Sequence, residues 1–428
     1  MSENSVNNLE KPDEPENPER PEDLARMMNF ARAISGLSLG GYGEAAYTRN
    51  FYSDQWQRYS NAESHKDAKS HGRFDLPHVV FLVGYDFGKG WTFSSEIEFE
   101  HGGTESAVEI EAEEMGEYES EIERGGEVAL EQFWIQKSFG RAFNIRMGHI
   151  IIPVGLTNQY HMPTEFFTVY RPEGENTIFP CTWHETGISL WGRTKNWRYE
   201  AQFLPGLDAD RFGSEGFISG GAGSPYEFKI ANAYAGAFRL DNYSLKGLRI
   251  GLSGYYGHSF SNSLTKNVRY KDYKGAVTIG SVDFHYSGNN IIARGHFDWG
   301  HLNDSEEITR FNKSLQSGSP SPKTPVASDA VATGIEAGYN LFAHIGKRDN
   351  RKLYLFGRYE YYDSMAKVEP GISDYGWCGK HRMAAGINYF PIREIVIKAE
   401  YSKRFYKSRY NDEPSVSFGV AYAGFFTR

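Results

Sequence analysis

The chain has 428 residues, a net charge of −9 and a mean hydropathy of −0.57. The negative charge and the lack of a basic stripe argue against nucleic acid as a partner. The longest apolar run, Val79–Val83, is far shorter than the roughly 20 residues of a membrane-spanning helix. These values exclude a helical membrane protein. They leave open a membrane β-barrel, because its strands are only half apolar.

The first 35 residues are predicted to be a tail outside the main domain. Residues 1–23 are acidic and rich in proline, which is typical of an extended or disordered segment. Apolar residues then recur at helical spacing from Leu24 to Ala31, which predicts a short amphipathic helix. Met1–Arg20 has no apolar central stretch, so we interpret the chain as a mature protein without its signal peptide.

Sixteen strands are predicted from residue 36 onward by alternation of apolar and polar residues. The last segment shows the period clearly, with Val416, Phe418 and Val420 on one face and small residues between them. The predicted strands lie near residues 37–48, 78–86, 91–101, 127–138, 142–150, 184–193, 196–204, 228–240, 247–259, 275–286, 290–301, 330–341, 352–363, 379–390, 394–405 and 415–427.

The connections between these strands alternate between short turns and long polar loops. This order is typical of an up-and-down antiparallel barrel in a membrane, with turns at the inner end and loops outside. We therefore predict an all-β transmembrane barrel over residues 36–428, with sixteen strands or, alternatively, eighteen. Aromatic residues make up 15% of the chain and glycines number 46, which suits such strands.

Placing the apolar residues outward puts charged residues on the inner face of the barrel. Acids concentrate on the early strands and basic residues from the seventh strand onward, which predicts a field across the pore. The alternative is that these residues are simply solvated and paired with one another. The predicted pore-lining residues are Glu96, Glu98, Arg146, Arg198, Arg249, Arg294, Arg358, Arg382, Lys398 and Arg404.

Two stretches carry a family resemblance. Arg146–Leu156 ends a strand with Pro153-Val154-Gly155-Leu156, and Pro180–Gly192 leads into a strand with spaced glycines. This order resembles the phosphate-selective porin O/P family of outer-membrane channels, in the form found in Bacteroidetes-type bacteria. The resemblance implies a homotrimer, and it implies that the loop at 151–183 folds inward and narrows the pore.

The composition of that loop differs from the arginine and lysine clusters of phosphate-selective members. It contains one arginine, no lysine and three acids, so we expect a pore that is not strictly for phosphate. The loop aromatics either pack against the barrel wall or form a stacking surface for sugar rings. The residues expected at the constriction are Tyr160, Glu165, Tyr170, Arg171 and Glu173.

Two further features keep open alternatives, and a third bears on catalysis. Cys181 and Cys378 either form a disulfide or remain two thiols. The acidic run at 105–123 is either a solvated loop or a site for divalent cations that bridge lipopolysaccharide. His149, His161 and His184 show no metal-ligand spacing, and no Gly-x-Ser-x-Gly motif occurs, so neither an enzyme nor a cofactor is expected.

The sequence thus predicts a bacterial outer-membrane porin that passes small polar and ionic solutes through a water-filled, mixed-charge pore. Its expected partners are the lipid bilayer with lipopolysaccharide, the solutes and further copies of the chain. One alternative is a channel that prefers oligosaccharides or anions such as phosphate. The other is a surface adhesin or lectin, which the exposed aromatic faces disfavour.

Overall fold

The computed structural model describes residues 35–427 apart from 54, 60, 69–70, 104–108, 111–121, 124–125, 223–229, 264–269, 315–324, 345–350 and 408–410. The predicted tail and amphipathic helix lie outside the described residues, as does most of the acidic run at 105–123. The domain boundary near residue 35 therefore stays a prediction.

The described residues form one large antiparallel sheet and a small hairpin. The strands of the first half are β1 (Leu37–Asn50), β2 (Gly72–Asp75), β3 (His78–Gly88), β4 (Trp91–Glu100), β5 (Glu109–Ile110), β6 (Ile122–Glu123), β7 (Val128–Ser138), β8 (Asn144–Ile151), β9 (His184–Arg193) and β10 (Trp197–Pro205). The strands of the second half are β11 (Tyr234–Asn242), β12 (Leu248–His258), β13 (Ala276–Gly288), β14 (Ile291–Leu302), β15 (Asp329–Asn340), β16 (Lys352–Lys367), β17 (Gly379–Ile392), β18 (Ile395–Phe405) and β19 (Glu413–Phe425).

Short helices occur in the connections. The α-helices are α1 (Ala62–His65), α2 (Glu173–Ile178) and α3 (Ser305–Ser314). The 3-10 helices cover Trp56–Tyr59, Thr157–Gln159, Ala209–Arg211, Ser219–Ala222, Phe260–Asn262 and Leu341–His344. Among the described residues, no helix has the length and apolar character needed to cross a membrane.

The large sheet closes on itself, which confirms the predicted barrel. Strand β19 pairs with β1 from Gly40 opposite Phe425 to Asn50 opposite Ser415. Each predicted strand has its counterpart, and β11 departs most, because it begins at Tyr234 rather than near residue 228. β2 and β3 run in series beside β1 and form one wall strand, interrupted at Pro77, which lacks the N–H a ladder needs. In the part of the chain that the structure describes, the barrel therefore has sixteen wall strands.

The exposure of alternate residues is reversed relative to a water-soluble protein. In β11, Phe238 is 49% exposed and Leu240 37% exposed, whereas Arg239 and Asp241 between them are 1% and 2% exposed. The same alternation is clear in β10, β15 and β16, with aromatic and aliphatic side chains outward. A closed sheet with an apolar exterior and a charged interior satisfies its backbone hydrogen bonds in lipid and keeps its charges away from it.

The two ends of the barrel differ in their connections. One end carries tight turns, such as Asn289–Asn290 between β13 and β14, where both residues have positive φ (51° and 65°). Asparagine tolerates this conformation, which a two-residue hairpin of this type requires. The other end carries the long loops, whose apolar side chains share one buried cluster with those of the loop after β8. Its members include Trp183, Tyr270, Tyr362, Phe179, Phe217, Phe260, Ile150, Ile152, Ile178, Leu204 and Leu207.

Candidate functional site

The segment between β8 and β9 folds into the barrel, as expected from the sequence. Its neck is closed by a hydrogen bond from the Ile152 amide to the Trp183 carbonyl at 2.8 Å. The Asn158 side chain donates to the Val154 carbonyl at 2.8 Å and accepts from the Trp183 amide at 2.7 Å. We call residues 152–183 the inward loop. These buried hydrogen bonds hold the two ends of the inward loop together.

Polar side chains of the wall hold the backbone of the inward loop. Lys398 of β18 donates from Nζ to the carbonyls of Phe166 (3.0 Å) and Thr168 (2.7 Å). Glu400, also on β18, accepts from the Val169 amide at 2.7 Å. On the opposite side, Arg239 of β11 donates to the carbonyls of Pro153 (3.3 Å) and Gly155 (3.0 Å). Charge-assisted bonds of this kind are among the stronger hydrogen bonds in proteins, so the loop is tied to both walls.

Glu360 of β16 also holds the inward loop, by a contact with α2. The Gly174 amide donates to Glu360 Oε1 at 3.0 Å, at the first turn of α2. The Glu175 carboxylate turns back into the loop and accepts from the amides of Leu156 and Thr157, both at 2.6 Å. The helix is therefore held by its own loop and by the wall.

Glu173 is the predicted constriction residue with the most contacts to basic groups. Its carboxylate accepts from Arg404 Nε at 2.7 Å and Nη2 at 2.5 Å, and it lies 3.3 Å from Arg382 Nε. The Tyr362 hydroxyl donates to it at 2.5 Å. Glu173 thus bridges two wall arginines, and its side chain stays 23% exposed.

The other predicted constriction residues lie at different parts of the wall. Arg171 is 3.6 Å from Glu98 on β4. Tyr160 lies beneath the Arg249 guanidinium, 5.0 Å from its ring centre, and Tyr170 lies 5.6 Å from Arg73 in the same way. Glu165 accepts from the Met162 amide at 3.3 Å. The five residues therefore do not form one cluster, because the loop runs across the lumen.

The loop aromatics mainly pack against the wall or against one another. Phe167 stacks on Phe356 with ring centres 5.4 Å apart, and Trp183 contacts Tyr255 at 4.9 Å. Phe166, Phe167, Phe179 and Trp183 are all buried. These four have no free ring face for a sugar, which favours the packing interpretation for them.

The later wall carries acids as well as arginines, which corrects the expected excess of basic charge on that wall. Arg294 and Arg358 both contact Glu336, and Arg358 also contacts Glu360 at 2.8 Å. Glu360 in turn lies 3.3 Å from Arg382. On β11 to β13, Asp241 and Asp283 pair with Arg239 and Arg249, and Arg198 pairs with Glu200 and Asp241. The basic groups of this wall are therefore mostly neutralised within the chain.

The ten predicted pore-lining residues lie on the inner face of the wall, although their pore-lining role stays a prediction. Arg146 differs from the other arginines, because it bonds to the Gln136 amide oxygen and stacks on Trp134, 4.4 Å from the ring centre. Several inward residues were missed: Glu44, Glu131, Arg239, Asp241, Asp283, Glu336 and Glu413. Alternation alone would have found Arg239, Asp283 and Glu336, since each lies between apolar neighbours.

The early wall has the opposite character. Glu44 lies on β1, Glu96, Glu98 and Glu100 lie on β4, and Glu131 lies on β7; β3 separates β1 from β4 in the sheet. We call these five residues the glutamate wall. All but Glu100 are buried. The inward loop brings His161 to 3.7 Å from Glu96, in addition to Arg171 at Glu98. Carboxylates therefore outnumber the basic groups that contact them.

A cavity of about 1170 Å3 lies at the turn end of the barrel. The inward loop contributes Met162, Thr164 and Glu165 to it, and the wall contributes Lys352 and Tyr354 among others. Because Met162 follows His161, the cavity reaches the edge of the loop next to the glutamate wall. We call this cavity the vestibule.

Two groups of side chains in the described part of the chain could hold a metal ion. They are His78 with Glu98 and Glu100, and Glu175 with His296 and Asp298; in each group the ligand atoms lie within 4.8 Å of one another. In the second, His296 Nδ1 already lies 2.5 Å from Asp298 Oδ2. His149 and His184, which showed no metal spacing in sequence, contact each other across β8 and β9 at 2.6 Å.

Both cysteines are free thiols, so the disulfide alternative is not realised. Cys378, directly before β17, is buried, and its thiol lies 3.5 Å from the Ser214 carbonyl. Within the acidic run, Glu109–Ile110 pairs with Ile122–Glu123 as a small hairpin, where the sequence had suggested only loop.

Comparisons with known proteins support this architecture. No family model matches the chain. An uncharacterised protein of Aquifex aeolicus is 28% identical over 391 residues, which cover 88% of this chain and 78% of that protein.

Solved barrels are similar in structure at low sequence identity. An anion-selective porin from Comamonas acidovorans is 10% identical, with a TM-score of 0.50, over 91% of this chain and 99% of that one. The outer-membrane channel DcaP of Acinetobacter baumannii is 10% identical, with a TM-score of 0.51, over 91% and 98%. OmpF of Salmonella typhi is 12% identical, with a TM-score of 0.51, over 91% and 97%. The chain therefore has the closed β-barrel fold of outer-membrane porins.

Proposed function

We propose that this protein is a porin of the bacterial outer membrane through which small polar and ionic solutes diffuse passively. The observation that carries the proposal is the reversed barrel: aromatic and aliphatic side chains outside, charged side chains inside. Such a surface is stable only where lipid covers the wall and water enters the lumen. An adhesin or lectin in water would expose all of this apolar surface.

The inward loop supports a channel that restricts solutes by size and charge. It is tied to the wall by Lys398, Glu400, Glu360 and Arg239, so it would not move freely with each solute. A fixed constriction in a water-filled barrel gives diffusion with a size limit. We further propose that the protein is a homotrimer, following the family resemblance of its sequence.

Selection of phosphate is not part of the proposal. A phosphate-binding pore needs basic groups that are free to bind the anion. Here Arg294, Arg358, Arg382 and Arg404 each contact a glutamate of the chain. An arriving phosphate would have to displace these carboxylates.

Purified protein inserted into planar lipid bilayers tests the proposal. We expect discrete conductance steps in KCl at about 1 M. The size of the steps should be proportional to salt concentration, as a water-filled pore requires. Protein that stays monodisperse in buffer without detergent and gives no steps would refute it. Swelling of liposomes that contain the protein, measured with neutral sugars of increasing size, would then give the size limit.

A further inference from the structure

The glutamate wall concentrates negative charge at one side of the lumen. Glu96, Glu98 and Glu100 of β4 lie opposite three residues of the neighbouring strand β3, which are Leu82, Val80 and His78 in that order. The pairing of β4 with β7 shifts register after Glu96, so Glu131 of β7 has no direct partner. A bulge of this kind re-aims a side chain, and Glu131 is 1% exposed next to the other carboxylates.

The basic groups that the structure describes there do not balance these carboxylates. Arg171 lies 3.6 Å from Glu98, His161 lies 3.7 Å from Glu96, and His78 contacts Glu44 at 2.7 Å and Glu98 at 3.9 Å. Five carboxylates thus meet one arginine and two histidines. Even with both imidazoles charged, negative charge is in excess.

Buried carboxylate oxygens at this wall also lack hydrogen-bond partners. They are Oε2 of Glu44 and Oε1 of Glu96 and of Glu98, on residues that are 7%, 2% and 3% exposed. Oε1 of Glu96 and Oε1 of Glu98 have longer contacts, to His161 (3.7 Å) and Arg171 (3.6 Å). A carboxylate oxygen that is buried without a hydrogen bond is costly, and a bound cation removes that cost. On the later wall the glutamates differ, because Glu336 and Glu360 each accept from two arginines.

We propose that the glutamate wall is a cation site that binds divalent cations such as Ca2+, and that the channel prefers cations to anions. The preference for cations rests on the proposed channel function, whereas binding of Ca2+ does not. The ligand class follows from the donors: carboxylate oxygens are hard ligands, and Ca2+ takes six to eight such oxygens in flexible geometry. His78, Glu98 and Glu100 place ligand atoms within 4.8 Å of one another.

The site is next to a route from solution. His161 contacts Glu96. The next residue in the chain, Met162, lines the vestibule. The vestibule therefore borders the segment of the inward loop that contacts the glutamate wall. Rings of acidic side chains give other pores their cation preference by the same electrostatics.

Titration calorimetry with CaCl2 on the full chain in detergent tests binding directly. The site variant is Glu96→Gln with Glu98→Gln, and the matched control is Glu63→Gln with Glu306→Gln, which removes the same charge from exposed helix positions. We expect saturable Ca2+ binding to the wild type and the control, and at least a tenfold weaker affinity in the site variant. Should the site variant fail to fold, Glu131→Gln carries the same test.

Reversal potentials in a KCl gradient test the preference. We expect a potential of the sign for cation preference in the wild type and the control, and at least a twofold lower K+ to Cl− permeability ratio in the site variant. Wild-type protein without saturable Ca2+ binding, or a site variant that binds as tightly, would overturn the site. Binding without any conductance would refute the channel and leave the site intact, while conductance without cation preference would refute the preference alone.

Discussion

Arg382 of β17 and Arg404 of β18 lie directly opposite each other in the sheet. Like charges in such a pair repel and destabilise a sheet. Glu173 of the inward loop contacts both guanidinium groups, at 3.3 Å and 2.5 Å, and removes this repulsion. The inward loop therefore supplies a negative charge between two strands of the wall, although it is far from them in sequence.

Glu173→Gln should loosen the inward loop and leave two wall arginines partly unpaired. We expect a loss of about 2 kcal/mol in unfolding free energy, less than the 3–5 kcal/mol for a fully buried pair, because Arg404 is partly exposed. Anion permeability should rise, since the arginines become available to solutes. Urea unfolding in micelles and reversal potentials in KCl measure the two effects. Glu306→Gln, which removes the same charge from an exposed position of α3, is the matched control and should leave both unchanged.

Arg358 should be essential for the stability of the later wall. It lies between Glu336 and Glu360, at 3.0 Å and 2.8 Å, and all three side chains are buried. Arg358→Ala would leave two glutamates short of a partner, and we expect a loss of about 3–5 kcal/mol. Unfolding followed by tryptophan fluorescence measures it.

Arg146→Ala provides the comparison for that variant. Arg146 bonds to an amide oxygen and stacks on Trp134 rather than pairing with an acid, so its removal should cost about 1 kcal/mol. Equal losses for the two variants would contradict the ion-pair account of the wall.

Much of the fold could be predicted from the sequence because a wall strand has lipid on one side and water on the other. Its alternation therefore reports the two faces directly, as at Phe238 and Arg239. The break at Pro77 also had a visible signal, since proline cannot donate to a ladder. The bulge that turns Glu131 inward had none, because a register shift depends on the partner strand.

The contacts of the inward loop could not be predicted. Glu173 and Arg404 are 231 residues apart, and their pairing depends on where α2 ends up across the lumen. The expected excess of basic charge on the later strands was wrong for a related reason. Arginines on the later strands were counted without the acids opposite them, such as Glu336 and Asp283.

A charge placed on the outer face of the barrel should destabilise the protein most when it lies near the middle of the membrane. Phe238→Arg places a guanidinium on the lipid-facing wall, and we expect a loss of about 2–4 kcal/mol if the residue lies near the midplane. Tyr234→Arg, on the same face of β11 but four residues nearer the loop end, should cost less. Folding yields into lipid vesicles, read from heat-dependent migration on gels, compare the two. A larger loss of stability for Tyr234→Arg than for Phe238→Arg would contradict the placement of Phe238 closer to the membrane midplane.

Both thiols should be unreactive in the folded protein at pH 8. Burial raises the pKa of Cys378 to about 12 and raises that of Cys181 well above its ordinary value. Since the thiolate is the reactive form, the thiols stay protonated at pH 8, and Cys378 becomes reactive only as the pH nears its raised pKa. Alkylation with iodoacetamide, followed by mass spectrometry, should modify neither residue before denaturation and both after it. Rapid labelling of the native protein would contradict this.

The central claim is that this reversed barrel is a water-filled channel. The most direct measurement is single-channel recording of the wild-type protein in planar bilayers across a range of KCl concentrations. The account predicts uniform conductance steps that scale with salt concentration and a reversal potential with the sign of cation preference. Folded barrels that insert into the bilayer and yet give no steps at any salt concentration would contradict it.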